Sequence, residues 1–321
     1  MKILVTGGAG FIGSHLCTQL LGEGHEVTAL DLLSTGQISN LNEIMLAPNF
    51  KFIQGSILDQ EILQSLVKET DYIFHLAAAV GVFNIINKPL ESLLINIRGT
   101  ENILETAAQF KKPVFITSSS EVYGKNISNS LSENDDRILG SPLTLRWAYS
   151  EAKAIDESLA YAYYVEKQLE IRIVRFFNTV GPKQLGNYGM VLPRFVQAAL
   201  NGEPITIYGS GEQTRCFAHV EDVVEAVIAL AFDKKAIGKV VNVGNNNEIS
   251  INVLAETIIK ITESKSKIIY VPYDEAYGNG FEDMSRRVPN IDLIKELVGW
   301  SPSRDLATII TDISREMRST S

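Results

Sequence analysis

Short runs that are apolar at consecutive positions punctuate the first half of the chain, separated by segments with helical spacing. The runs are Lys2–Gly7, Glu26–Asp31, Phe50–Gln54, Asp71–Leu76, Pro113–Ser118 and Glu170–Phe176. Helical spacing is clearest over Phe11–Leu21, Glu91–Gln109 and Ala148–Lys167. Strands of this kind are buried on both faces, and alternation with helices places them in a parallel sheet. The pattern predicts an α/β fold with a doubly wound parallel sheet. After Phe177 the texture changes: Gly, Pro and Asn become frequent, as in GPKQLGNYG and NGEPITIYGSGEQ, and short strands mix with helices. This predicts a smaller mixed α/β domain over the sheet edge. Residues 217–244 read again as helix and then strand (VVNVG). The expected division is therefore residues 1–176, rejoined by 217–245, for the larger domain, and 177–216 with 246–321 for the smaller. No internal repeat or low-complexity segment interrupts the pattern.

Composition narrows the function. The chain has 321 residues, 45% of them apolar and 21% charged, enough for a large core or two domains. A net charge of −9 argues against non-specific nucleic-acid binding, which needs a basic face. The two cysteines, Cys17 and Cys216, offer neither a disulfide framework nor a zinc site and fit a reducing cytoplasm. The first apolar run reaches Gly7 at once, which leaves no room for a signal peptide, and no run is long enough to span a membrane.

The segment TGGAGFIGS follows the first strand directly and opens the first helix. Gly7, Gly10 and Gly13 have the spacing that allows a tight turn, a close approach of backbone to a pyrophosphate and close helix–strand packing. The N–H groups at Phe11 and Ile12 then face the anion. Asp31 ends the second strand, where a carboxylate accepts from both adenosine ribose hydroxyls and repels a 2′-phosphate. No Lys or Arg follows in LLSTGQ, so NAD is favoured over NADP. These features together predict a Rossmann cofactor site.

Two further stretches carry chemistry. SSSEVYG at 118–124 ends a buried strand and gathers hydroxyls and a carboxylate in one place. Tyr149 and Lys153 sit four apart in a helix, on one face. An ammonium and an oxidised nicotinamide would both favour the phenolate, lowering the tyrosine toward neutrality and making it a base for a substrate hydroxyl. Alone, such a pair is more often a solvated helix face; behind a dinucleotide fingerprint it becomes a candidate catalytic pair.

With these motifs in order, the chain resembles the extended short-chain dehydrogenase/reductase family that acts on nucleotide sugars. The resemblance runs nearly end to end through TGGAGFIGSH, Asp31, FHLAA at 74–78, NIRGT at 96–100, SSSEVYG, YSEAK, RFFNTVGP at 175–182 and QTRCFAHVEDV at 213–223. It implies that Ser119 holds the sugar O4, that Tyr149 is the base, and that Lys153 holds both the ribose and the phenolate. Ser56 and Ile57 would line the adenine pocket, with Ser56 standing where the family often has Asp. Leu76, Ala77, Ala78 and Asn96 would complete the cofactor wall. Asn178, Val191, Arg194 and Arg215 would meet the phosphates or the sugar, and Ile207 and Tyr208 the UDP base. Family members commonly form homodimers through the two long helices after strands four and five.

The hydroxyl cluster bears on which reaction follows. Hexose 4,6-dehydratases of this family typically carry Asp where this chain has Ser120, and a serine is too weak an acid to protonate a leaving hydroxyl. Ser-Ser-Glu is instead similar to the UDP-glucuronate decarboxylases. That group shares RWxYSxxK (Arg146–Lys153 here), RCF at 215–217, and the stretch YGNGFEDMSRRVPNI at 277–291, whose arginine closing over the sugar falls on Arg287. Glu121 would assist proton movement or orient water. Met190 stands where several decarboxylases carry Arg, a feature shared with 4-epimerases, so a UDP-sugar 4-epimerase is the second reading. A non-catalytic dinucleotide sensor is the third, and the Tyr–Lys pair argues against it.

Overall fold

The structure is a computed structural model that describes residues 1–81, 88–186, 190–277, 284 and 286–320. Thirteen strands are seen among these residues: β1 (Lys2–Thr6), β2 (Glu26–Asp31), β3 (Phe50–Gln54), β4 (Tyr72–His75), β5 (Val114–Ser119), β6 (Ile171–Phe176), β7 (Thr179–Val180), β8 (Ile205–Tyr208), β9 (Thr214–Cys216), β10 (Ala218–His219), β11 (Val240–Val243), β12 (Glu248–Ser250) and β13 (Ile268–Val271). Seven form one parallel sheet in the order β11-β6-β5-β4-β1-β2-β3. The doubly wound sheet read from the apolar runs is therefore present, and the strand read at VVNVG joins its edge beside β6. The remaining strands form three two-stranded pieces, β10-β7, β12-β9 and β13-β8.

Alternation along the strands explains why both faces are covered. Ile3 and Val5 of β1 enter one core with Leu16 and Leu20 of the helix Phe11–Gly22 and Val223 and Val227 of the helix Val220–Phe232. Leu4, between them, enters a second core with Leu63, Ile103 and Ala160, from the helices Gln60–Lys68, Pro89–Phe110 and Ala148–Lys167. A third core, around Phe195, Ile207, Leu254 and Ile310, joins the helices Val191–Asn201, Ile251–Thr262 and Leu306–Thr320. The helix Pro89–Phe110 starts two residues before the periodic pattern because Pro89 suits the first helical position, where an N–H has no intrahelical partner. No helix among the described residues is long and apolar enough to cross a membrane.

The order of winding reverses between β1 and β4. A crevice at the carboxyl ends of strands forms at such a switch point, where ligands of open α/β sheets bind. Gly7 follows β1, Asp31 ends β2, Leu76 follows β4, Ser119 ends β5 and Asn178 follows β6. Every motif singled out in the first half thus reaches the same edge of the sheet.

A buried polar node fixes the sugar end of this edge. Arg175 of β6 donates through Nε and Nη2 to Glu157 at 2.9 and 2.7 Å, and through Nη1 to Tyr123 Oη and the Glu133 carbonyl. Ser118 Oγ donates to Glu157 at 2.5 Å, and Tyr123 Oη donates to Asn242 of β11. The node ties β5, β6, β11 and the helix Ala148–Lys167 into one unit. Removing one partner of a buried ion pair leaves an unpaired charge. Arg175→Ala is therefore expected to lower unfolding free energy by about 3 kcal/mol or more. The double replacement Arg175→Met with Glu157→Leu should lose less, as read by denaturant titration of both variants.

Candidate active site

Gly7 sits in the left-handed region at φ 73°, where its N–H bonds the Leu30 carbonyl, and a side chain there would meet the backbone of Ala77 at 2.8 Å. A Cβ on Gly13 would lie 2.1 Å from the Gly7 carbonyl, so only glycine lets the helix pack this close to the turn. Gly10 begins the helix with no side-chain cap, and a Cβ there would touch only the Gly7 carbonyl within 4 Å. The helix start is thus an open anion cradle beside a cleft of about 570 Å³.

The cleft is lined by nearly all the residues singled out from the sequence. At the cofactor end these are Gly7, Gly10, Phe11, Ile12, Gly13 and Asp31, with Ser56, Ile57, Leu76, Ala77 and Ala78 opposite. Asp31 accepts from the backbone N–H of Ala9 at 3.0 Å and of Leu33 at 2.7 Å, which aims its carboxylate and leaves lone pairs for a ribose. Ile57 packs so closely on Gly99 that a Cβ there would lie 2.2 Å from its Cδ1. Asn96 departs from expectation. Its amide is buried behind the wall and clamps both backbone groups of Ala79, so it shapes the lining without facing the cleft. These residues fit a dinucleotide: a glycine cradle for the pyrophosphate, a carboxylate for the ribose and an apolar slot for the base.

At the other end Ser119, Ser120, Glu121, Tyr149 and Lys153 converge. Ser119 caps the turn after β5 by accepting from the Glu121 N–H, and its side chain hydrogen-bonds Tyr149. Lys153 donates to the buried Asp156 at 3.1 Å. Burial opposes the Lys153 charge most, but Asp156, Tyr149 and Glu157 together outweigh it and raise the ammonium above its ordinary value. Tyr149 differs from the sequence expectation. Burial raises its phenol; Lys153 pulls it down, while Glu121 and Asp156 push it up, and the net shift is upward. The protein alone therefore keeps Tyr149 protonated.

Glu121 is held between two guanidiniums. Arg146 donates to it at 2.5 and 3.2 Å and Arg287 at 2.7 Å. Burial would raise its carboxyl, yet the two arginines hold it far below the usual carboxylate range. Its carboxyl is held ionised, so it carries no proton to donate, and in this structure it pairs with Arg146 and Arg287. Arg287 also donates to Ser120 Oγ and Asn178 Oδ1, both at 3.3 Å. Its neighbour Arg286 turns outward to Glu248. The doublet is split because Leu131 pairs with Val288 and Asn290 through backbone hydrogen bonds, fixing the strand that carries Arg287. Residues 278–283 and 285 of the long motif expected around Arg287 lie outside the described residues.

Asn178, Val191, Arg194, Tyr208, Arg215 and Arg287 line this half of the cleft. Ile207 does not: it alternates inward from Tyr208 into the third core and is fully buried. Arg194 stacks on Tyr208, its Cζ 4.3 Å from the ring centroid, one turn beyond Met190. A cation thus reaches the wall that Met190 itself leaves uncharged. The sequence reading missed Asp156, Lys183 and Gln213. Asp156 was legible as the next residue on the Tyr149–Lys153 face at i+3; Lys183 and Gln213 carry no local signal.

A parallel sheet with a glycine cradle and a Tyr–Lys pair at one switch point defines an extended short-chain dehydrogenase/reductase. The chain belongs to the GDP-mannose 4,6 dehydratase family, whose sequence profile matches residues 4–313. It is 43% identical over 303 residues to UDP-N-acetyl-alpha-D-glucosaminuronate decarboxylase of Bacillus cytotoxicus, covering 94% of this chain and 93% of that one. It is 37% identical to UDP-glucuronic acid decarboxylase 1 of Xenopus tropicalis, covering 94% of this chain and 68% of the other. Among solved structures, UDP-glucuronic acid 4-epimerase from Bacillus cereus, in complex with UDP-glucuronic acid and NAD, superposes with a TM-score of 0.90 at 29% identity over 100% of both chains.

The ribose contact is open to a direct check. Asp31→Ala is expected to weaken NAD about tenfold, the scale of a hydrogen bond to a charged group. NADP should be weakened less, because repulsion of its phosphate is relieved. Equal weakening in fluorescence titrations with both cofactors would remove Asp31 from ribose reading.

Proposed function

We propose that the protein is an NAD-dependent decarboxylase of a UDP-hexuronate, either UDP-glucuronate or its 2-acetamido counterpart. The observation that carries this reading is the single carboxylate of Glu121 between Arg146 and Arg287, within reach of Ser119 and Tyr149. Two guanidiniums on one carboxylate leave positive charge at the sugar end, matched to an anionic C6. The names of the relatives at 43% and 37% identity agree with it.

The chain's own residues supply most of the chemistry. Ser119 and Tyr149 hold the C4 hydroxyl, and Tyr149 takes its proton. NAD, held by the glycine cradle and Asp31, would supply the hydride acceptor for oxidation at C4 and the hydride donor for the closing reduction. The resulting 4-ketone makes the C6 carboxylate a β-keto acid, which loses CO₂ once the enolate is stabilised. Arg287, held in place by Glu121 and Asn178, supplies that stabilisation. Ser120 gives no carboxylic acid for expelling a C6 hydroxyl, which disfavours dehydration.

We further propose a homodimer in a reducing cytoplasm. The helices Pro89–Phe110 and Ala148–Lys167 pack on each other and leave Leu90, Ile155, Tyr161 and Val165 exposed, while Cys17 and Cys216 are free and buried.

A 4-epimerase reading draws on Met190 and on the likeness to the UDP-glucuronic acid epimerase. The two reactions share C4 oxidation and part afterwards. Incubated with UDP-glucuronate or UDP-N-acetylglucosaminuronate in deuterium oxide, a decarboxylase releases CO₂ and places deuterium at C5 of a UDP-pentose. Clean inversion at C4, with all carbons kept and C5 unlabelled in proton NMR, would replace the decarboxylase with the epimerase.

A further inference from the structure

Lys183 lines the cleft but has no part in the chemistry described above. It belongs to residues 181–185, which follow β7 and are tied by three hydrogen bonds to other parts of the chain. The Pro182 carbonyl accepts from His15 Nε2 at 3.0 Å, on the helix that opens at the glycine cradle. Lys183 Nζ donates to the Asn40 carbonyl at 2.9 Å, in the short turn Ile38–Leu41 after β2. The Lys183 N–H donates to Glu316 Oε2 at 2.5 Å, on the helix Leu306–Thr320.

Two of these ties end on the frame of the cofactor end. Asn40 donates through its side-chain amide to the Ala9 carbonyl at 2.9 Å, and the Ala9 N–H donates to Asp31 at 3.0 Å. A path of hydrogen bonds thus runs from the Lys183 ammonium through Asn40 and Ala9, inside the glycine turn, to the Asp31 carboxylate. Residues 181–185 are in this way strapped across to the turn and the helix that form the cradle.

The fastened form carries two local costs. Lys183 holds a left-handed backbone at φ 68°, which a residue with a side chain keeps only where surrounding contacts dictate it. Gln184 donates through Nε2 to the Thr179 carbonyl, and its Oε1 is left buried with no hydrogen-bond partner among the described residues. A segment held against such costs opens more readily than a strand or helix of the scaffold. The ammonium that fastens it meets a carbonyl and forms no ion pair among the described residues, so its charge is not cancelled. A dinucleotide in the cradle brings a pyrophosphate anion to the same end of the cleft. That charge favours the fastened form, and by reciprocity the fastened form favours the bound cofactor.

We propose that Lys183 is a positioning residue that clasps residues 181–185 across the cofactor end and sets how long the dinucleotide stays. A cofactor that both accepts and returns hydride within one turnover must outlast that turnover. The inference goes beyond the reaction proposed above: it needs NAD in the cleft but no particular sugar.

Release can be timed with no sugar present. NADH bound to the protein is displaced by excess NAD in stopped flow and followed by its fluorescence. Lys183→Asn keeps a residue that tolerates the left-handed backbone but is too short to reach the Asn40 carbonyl. It should release NADH about tenfold or more faster than the native protein, the scale of a lost hydrogen bond from a charged group, with the association rate changed less than about twofold. Its cofactor-free unfolding midpoint should stay within about 2 °C of native. In native protein, tryptic cleavage between Lys183 and Gln184, read by mass spectrometry, should be about tenfold or more slower with NAD than without. Native-like release from Lys183→Asn would overturn the proposal. A cofactor-free midpoint lowered by more than about 5 °C would assign Lys183 to the scaffold and overturn it too. Equal cleavage of native protein with and without NAD would overturn it whether or not the variant folds. An unexpected sugar product would defeat only the decarboxylase reading, because no sugar takes part in these measurements.

Discussion

A largely buried carboxylate bridging two guanidiniums is the interaction on which the sugar end of the cleft depends. Glu121 arrives from the turn after β5, Arg146 from the turn before the helix that carries Tyr149, and Arg287 from a segment more than 160 residues further along the chain. Their side chains are 15%, 7% and 9% exposed, so each guanidinium needs the carboxylate as much as the carboxylate needs them. The bridge holds Arg287 against Ser120 and Asn178 at the sugar end of the cleft. A fold that only bound a dinucleotide would have no use for it.

Behind the bridge stand two more buried pairs, Arg175 with Glu157 and Lys153 with Asp156. The first locks β5, β6 and β11 against the catalytic helix. The second acts on Tyr149, Lys153 lowering its phenol and Asp156 raising it, alongside Glu121. Their carboxylates, Asp156 and Glu157, are consecutive residues of one helix, yet one pair braces the scaffold and the other lies beside the cleft. The difference lies in the partner: Arg175 faces away from the cleft into the Tyr123–Asn242 node, whereas Lys153 lines it.

Much of this was legible in the sequence because local rules carry it. The apolar runs gave the parallel strands, and the glycine spacing gave the cradle, since Gly13 is dictated by its contact with Gly7 within one turn and Gly7 by the turn's positive φ. Asn96 and Ile207 were placed in the cleft by motif position, and the structure turns both inward: one to serve backbone amides, the other by strand alternation. The ionisation of Glu121 and the rise of Tyr149 were not legible, because each depends on burial and on charges brought from distant segments. A tyrosine beside a lysine reads as an activated base until burial, Glu121 and Asp156 are seen to outweigh the lysine.

The central claim is that Arg287, held by Glu121, selects a sugar with a charged C6. Calorimetric titration of UDP-glucuronate against UDP-glucose, in NAD-loaded Tyr149→Phe protein so that no turnover intervenes, measures that selection. The account predicts a preference for the uronate of about tenfold or more, equivalent to about 1.4 kcal/mol, which Arg287→Met largely removes while UDP-glucose affinity changes little. Equal affinity for the two sugars, or a preference that survives Arg287→Met, would contradict it.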